Sequence, residues 1–356
     1  MKRCLRLGPW STAACAAATL LAAGCAQSPV PAGLALEQAP APERGDSGGT
    51  AAKLYVLDSN IYSGAPSVAV FGRDADGNVA PARTIEGADT GMYSPGGIAV
   101  DRNGRIYVSD FLAGTYGAIF VYAAGASGDA QPIATITDGI ADPCGVAVDD
   151  AGNVYEGNFE AGSVNEYAAD TYQLVRTITA GGSLGYCAGL AVGRSGKIYV
   201  LVGDYNGVRP IEGDSSSYYG SVAVLPAGAS GPTKPSQIIE GPETGLTDPL
   251  GIAVDATGRI FVTNADKPIE DVLVFGARAN GDAAPKYRIA GSRTQLVGPT
   301  GIALDKSGAI FVTNYSYVGK QSVLAYTAGS RGNVAPARKI KGKKAQLQTF
   351  TYIAVK

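Results

Sequence analysis

Apolar and polar positions alternate along this chain in short runs that return in the same order. The clearest copies are Pro249-Leu-Gly-Ile-Ala-Val-Asp-Ala-Thr-Gly-Arg-Ile-Phe-Val-Thr-Asn264 and Pro299-Thr-Gly-Ile-Ala-Leu-Asp-Lys-Ser-Gly-Ala-Ile-Phe-Val-Thr-Asn314. Each holds two apolar runs rich in β-branched residues, too short for helices and of strand composition. Between them stands Asp-x-x-Gly, in which Asp opens a turn and Gly supplies its left-handed backbone. The first run recurs as Gly97-Ile-Ala-Val100, Gly145-Val-Ala-Val148, Gly189-Leu-Ala-Val192, Gly251-Ile-Ala-Val254 and Gly301-Ile-Ala-Leu304, then as Tyr352-Ile-Ala-Val355. The steps are 48, 44, 62, 50 and 51 residues, the period range of propeller blades and similar arrays.

Two more strands follow each pair. The third reads Ser67-Val-Ala-Val-Phe71, Ala118-Ile-Phe-Val-Tyr122, Ser163-Val-Asn-Glu-Tyr167, Ser221-Val-Ala-Val-Leu225, Asp271-Val-Leu-Val-Phe275 and Ser322-Val-Leu-Ala-Tyr326. The fourth is shorter, as in Pro81-Ala-Arg-Thr-Ile85 and Pro336-Ala-Arg-Lys-Ile340, and its leading Pro suits a sheet edge. Gly77-Asn78 and Gly332-Asn333 between them are turn signals. Four antiparallel strands make one blade. The body opens with Lys53-Leu-Tyr-Val-Leu-Asp58, a second strand without a first, and the last residues are a first strand without a second. Pairing them predicts an all-β fold, a six-bladed β-propeller over residues 53–356 closed by its N- and C-terminal strands in one blade. Such closure leaves no major open sheet edge.

The repeated phrase resembles the NHL repeat of six-bladed propellers over the whole of that body. The resemblance speaks for fold and little for function, because lyases, lactonases and plain binding proteins share it. Peptide-amidating and streptogramin lyases are similar in their repeats but depend on histidines, and this chain has none. No Ser-His or Cys-His nucleophile can be assembled from it either. Lactonases related to senescence marker protein hold a divalent metal near the axis, with one carboxylate just before the inner-strand Gly. The matching positions here are Gly96, Cys144, Ala188, Leu250, Thr300 and Thr351, none a carboxylate. A metal-dependent lactonase-type hydrolase with ligands at the channel mouth is therefore the alternative, and a non-catalytic binding protein the main expectation.

Candidate chemistry gathers where second strands end. Asp58, Asp110, Asn158, Asp204, Asn264 and Asn314 fall there, one per blade. Such a ring could hold a hard cation such as Ca²⁺ through oxygen, or its members could cap their own turns; no cofactor is otherwise implied. Aromatics fill the neighbouring loops: Tyr62, Phe111, Tyr116, Phe159, Tyr205, Tyr218, Tyr219, Tyr315 and Tyr317. Together they predict a top face that binds an envelope protein or glycan, on a monomer, although each could also pack between loops. The Asp-x-x-Gly turns of the opposite face (Asp101, Asp149, Asp255, Asp305) read as turn formers.

The start reads as an export leader, 1–24: Lys2, Arg3 and Arg6, then a short apolar run ending Leu21-Ala-Ala-Gly-Cys25. This resembles a bacterial lipoprotein signal and implies a lipid on Cys25, with ordinary cleavage near Ala26 as the other reading. Ala26 in place of Asp implies the outer membrane, with the propeller in the periplasm or at the cell surface. Residues 25–52, rich in Pro, Ala and Gly, read as a flexible tether. Removing the three leader cations from the net charge of −2 leaves −5, a poor match to nucleic acid. Cys144 and Cys187 open adjacent inner strands on one face. In an oxidising compartment they predict a disulfide, with two buried thiols as the other reading.

Overall fold

A computed structural model describes residues 52–59, 65–111, 117–159, 161–185, 187–203, 220–265, 269–316, 321–349 and 351–356. Cys25, Tyr62, Tyr116, Asp204, Tyr205, Tyr218, Tyr219 and Tyr317, the leader and nearly all of the tether lie outside them.

The described strands form six blades around an axis. Blade I combines Thr351–Val355, Lys53–Asp58, Ser67–Gly72 and Arg83–Glu86. Blade II is Pro95–Val100, Ile106–Asp110, Ala118–Tyr122 and Ala134–Ile136. Blade III is Pro143–Val148, Val154–Asn158, Ser163–Tyr167 and Leu174–Thr179. Blade IV is Cys187–Val192, Ile198–Val202, Ser221–Leu225 and Gln237–Ile239. Blade V is Pro249–Val254, Ile260–Asn264, Asp271–Phe275 and Tyr287–Ala290, and blade VI is Pro299–Leu304, Ile310–Asn314, Ser322–Tyr326 and Arg338–Ile340. The ring closes as its end segments predict: Leu54 pairs with Val355, Val56 with Ile353 and Asp58 with Thr351, all antiparallel.

Second and third strands are apolar on both faces because a blade is sandwiched between two others. Ile260 and Val262 point into the space shared with blade IV, while Phe261 points into the space shared with blade VI. Each inter-blade space holds one apolar cluster, with Phe71, Tyr122, Phe275 and Phe311 almost wholly buried. At roughly 1.5–3 kcal/mol per fully buried large side chain, these clusters dominate the stability of the ring. At some junctions the inner strands approach so closely that only Gly fits. A Cβ on Gly97 would lie 2.9 Å from the Gly145 Cα, and one on Gly251 2.3 Å from the Thr300 carbonyl oxygen.

The Gly-Asn and Gly-Asp stretches do more than turn. Gly77, Gly128, Gly281 and Gly332, each at positive φ, pair in parallel with Ile340, Ile85, Ile239 and Ile289, the core residue of the preceding blade's fourth strand. Gly231–Pro232 pairs likewise with Ile178–Thr179. These stretches act as belts across the outer rim. Asn78, Asp129, Asp282 and Asn333 then accept the backbone N–H of Lys344, Asp89, Glu243 and Arg293 in the short 3-10 turn of the blade they cross.

Candidate functional site

The upper mouth is framed by the loops that enter the inner strands, and the predicted Asp/Asn positions hold those loops. Asp110 accepts the N–H of Tyr93 at 2.6 Å and of Ser94 at 3.0 Å. Asn264 accepts those of Thr247 and Asp248 at 3.0 and 2.9 Å. Asn314 accepts from Val297 and donates to the Gln295 carbonyl; Asn158 accepts from Ala141 and donates to that of Gly139. Asp58 accepts from the backbone of Gln348 and Thr349 and from the Thr349 hydroxyl. A short side-chain acceptor can satisfy two adjacent N–H groups of an incoming loop. The loop so held precedes the inner strand of the same blade, so these residues cap a neighbouring segment rather than their own turn. All five are buried.

Blade IV departs from the sequence expectation. Val202 stands opposite Cys187, as Asn264 stands opposite Pro249 and Asn158 opposite Pro143. The register therefore gives that position to Val202, and Asp204 comes two residues later. Among the described residues no group of three or more Cys, Asp or Glu side chains is placed to hold a metal ion.

One layer inside, hydroxyls latch two of the blades to the next. The Thr263 hydroxyl donates to the Thr300 carbonyl across blades V and VI, and that of Thr313 donates to the Thr351 carbonyl across VI and I. Blade III has Gly157 at the latch position, and there Cys144 and Cys187 form a disulfide, their Cα atoms 5.8 Å apart. A Cβ at Gly157 would sit 2.7 and 2.8 Å from the two sulfurs, so the missing side chain is what admits the bridge. The axis itself is nearly filled. A cavity of about 70 Å³ is lined by the inner-strand glycines of blades II to VI and, from blade I, by Tyr352. Tyr352 takes the position of Gly97, opposite Leu57, and burial pushes its phenol above the usual value.

Of the predicted aromatics, Phe111 is 38% exposed while Phe159 and Tyr315 are half-buried. Each donates its backbone N–H to the loop beside it, to Ser94, Asp142 and Gly298 respectively. Sequence reading missed Tyr93, which is 69% exposed on the loop gripped by Asp110. The signal was its place two residues before Pro95, where blades III, V and VI have Ala141, Thr247 and Val297.

The opposite mouth is wider. A cavity of about 490 Å³ has an apolar floor of Val100, Val148, Leu304 and Val355 and a charged rim that includes Arg102, Asp150, Lys306 and Lys356. The turn aspartates there are committed. Asp101 accepts the N–H of Asn103 and Arg105 and pairs with the Arg105 guanidinium at 2.7 Å; Asp305 accepts from Ser307 and Ala309 and pairs with Arg73. Burial would raise both carboxyls, but these bonds outweigh it and hold them below their ordinary value.

No family model matches the chain, and no curated protein matches it by sequence. Its fold is found widely among solved structures. A chain in the crystal structure of a nidogen/laminin complex superposes with TM-score 0.59 at 14% identity, covering 85% of this chain and 98% of the other. The WD40 propeller domain of Doa1 gives 0.50 at 11%, covering 83% and 88%. A gluconolactonase of Xanthomonas campestris gives 0.47 at 16%, covering 75% and 77%. At these identities the likeness is one of fold, the β-propeller.

Proposed function

We propose that this protein is an exported, lipid-anchored propeller that binds a protein or glycan partner through its upper face. The observation that carries the reading is Tyr93 with Phe111. Two large aromatic side chains stay exposed on blade II although their backbones are tied together, Tyr93 N–H to the Asp110 carboxylate and Phe111 N–H to the Ser94 carbonyl. Rigid, exposed aromatics lose little entropy on contact, and burying them gives much area. The propeller fold is compatible with protein binding, and a chain from a two-protein complex is among those it resembles.

The test compares the native protein with a Tyr93→Ala/Phe111→Ala double variant on a glycan array and in pull-downs from envelope extract. Expected is a loss of captured partner at unchanged melting temperature; equal capture by both proteins would overturn the reading. For the anchor, labelled palmitate should enter the native chain and not Cys25→Ala, which should leave the membrane fraction.

A further inference from the structure

Among the described residues, five of the six blade junctions carry a belt on the outer strand, and the junction of blades II and III does not. The link between third and fourth strands is six residues in blade III, Ala168–Gln173, against ten or eleven in every other blade. It closes on itself through Ala168 N–H to Gln173 O and Tyr172 N–H to Ala168 O; its Asp170 and Tyr172 meet Arg105 of blade II, but its backbone does not pair with the fourth strand of that blade. The fourth strand of blade II, Ala134–Ile136, is thereby left with an uncovered outer edge among the described residues.

The polar groups of that edge follow from the repeat. In blade I the belt glycine Gly128 donates its N–H to Thr84 O at 2.7 Å and accepts from Glu86 N–H at 2.9 Å, on either side of Ile85. Ile136 pairs with Ile119 as Ile85 pairs with Val68, so Thr135 O and Thr137 N–H face outward in blade II. Neither makes a hydrogen bond among the described residues, and both threonines are exposed. Beside them Ile133 is 57% exposed, where the equivalent residues are Ala82, Ser236, Lys286 and Ala337. An open edge flanked by an exposed aliphatic side chain is what strand addition uses.

We infer that the outer edge of blade II is a docking site for an extended, glycine-bearing segment of a partner protein, which adds in parallel as the missing belt. The five internal belts specify its chemistry. A glycine in the left-handed region lies opposite Ile136, its N–H donating to Thr135 O and its carbonyl accepting from Thr137 N–H. An apolar residue of the segment covers Ile133. This site is on the rim, separate from the upper face, and does not depend on the reading given for that face.

The test selects displayed random peptides on the full-length protein and on Thr137→Pro, which deletes the outward N–H at an edge position where proline is tolerated. Peptides enriched on the native protein should carry a glycine and bind it about tenfold more tightly than the variant, the worth of one hydrogen bond. Replacing that glycine by sarcosine removes the other hydrogen bond without touching the protein, so it decides the matter even if Thr137→Pro fails to fold; a similar loss is expected. Bound peptide should also slow hydrogen exchange at residues 134–137. The proposal is overturned if no glycine-bearing peptide is enriched or if sarcosine peptides bind equally well. It is also overturned if the protein alone already protects the Thr137 N–H, through self-association or its own chain.

Discussion

The junction between blades V and VI and the junction between blades II and III are made from the same repeat and are finished differently. At V–VI the belt glycine Gly332 sits on Ile289, Thr263 latches to Thr300 O, and the second and third strands meet through apolar side chains such as Phe261 and Leu324. At II–III no belt lies among the described residues, the latch residue Ser109 has a buried hydroxyl with no partner among them, and two core positions are polar. Glu156 stands where blades II and IV to VI have Val108, Val200, Val262 and Val312, and Asn165 stands across from it. The Asn165 amide donates to Glu156 at 3.2 Å and to Gly139 O at 2.7 Å; the other Glu156 oxygen is buried and unpaired. On its other side blade III carries the disulfide. One blade thus combines the junction that lacks a belt among the described residues and has polar core positions with the covalent one. Local stability in a quasi-repetitive fold is set junction by junction rather than averaged.

The largest effect should come from the covalent junction. Breaking the bridge with Cys144→Ser/Cys187→Ser frees a loop of 43 residues and should lower unfolding free energy by about 4 kcal/mol. Urea titration with and without reductant checks this, and reductant should change the native protein only. Giving II–III the residues used elsewhere, Glu156→Val with Asn165→Leu, should stabilise by about 1–4 kcal/mol, because a buried polar pair is replaced by apolar volume. Burial pushes the Glu156 carboxyl well above its usual value, so the native protein should lose stability as pH rises towards that value and the double variant should lose less.

Asp271 offers a control away from that junction. It replaces the serine found at Ser67, Ser163, Ser221 and Ser322, and burial raises its carboxyl to about 6 although Arg288 lies 3.2 Å away. The folded form then binds its proton more tightly than the unfolded form, so its stability is full below about pH 4 and is lost as pH rises through about 6. Asp271→Ser should therefore stabilise by about 2–3 kcal/mol at neutral pH and flatten the melting temperature between pH 4 and 6. The smallest effect is expected from the latch. Thr313→Val removes one of two hydroxyl donors to Thr351 O, the other being Thr300, and the acceptor of the Gly301 N–H, and should cost about 1–2 kcal/mol at VI–I, whereas Ser109→Ala at II–III should cost nothing measurable.

Much of this was readable beforehand. The blade count and the pairing of the two end strands in one blade follow from a local phrase repeated with a known period, and that phrase also brings Cys144 and Cys187 to adjacent strand starts, where an oxidising compartment favours the bridge that forms. The candidate site was less legible. Asp58, Asp110, Asn158, Asn264 and Asn314 stood out as a ring, but residue type alone does not tell whether a carboxylate faces a mouth or a loop N–H. Tyr93 lies outside the strands that carry the pattern, so the repeat does not mark it. In blade IV Gly203-Asp204 resembles a strand end in sequence, while pairing with Cys187 ends the strand at Val202.

What the chain determines by itself is the unit and its number: strand, turn, strand, repeated until two incomplete ends complete each other. Tertiary structure decided what happens between units. The belts, the hydroxyl latches, Tyr352 in the axis and the bare edge of blade II each depend on which residue of one blade meets which residue of the next. Those meetings are fixed by packing and register across a gap of some fifty residues, and no periodicity within a single unit encodes them.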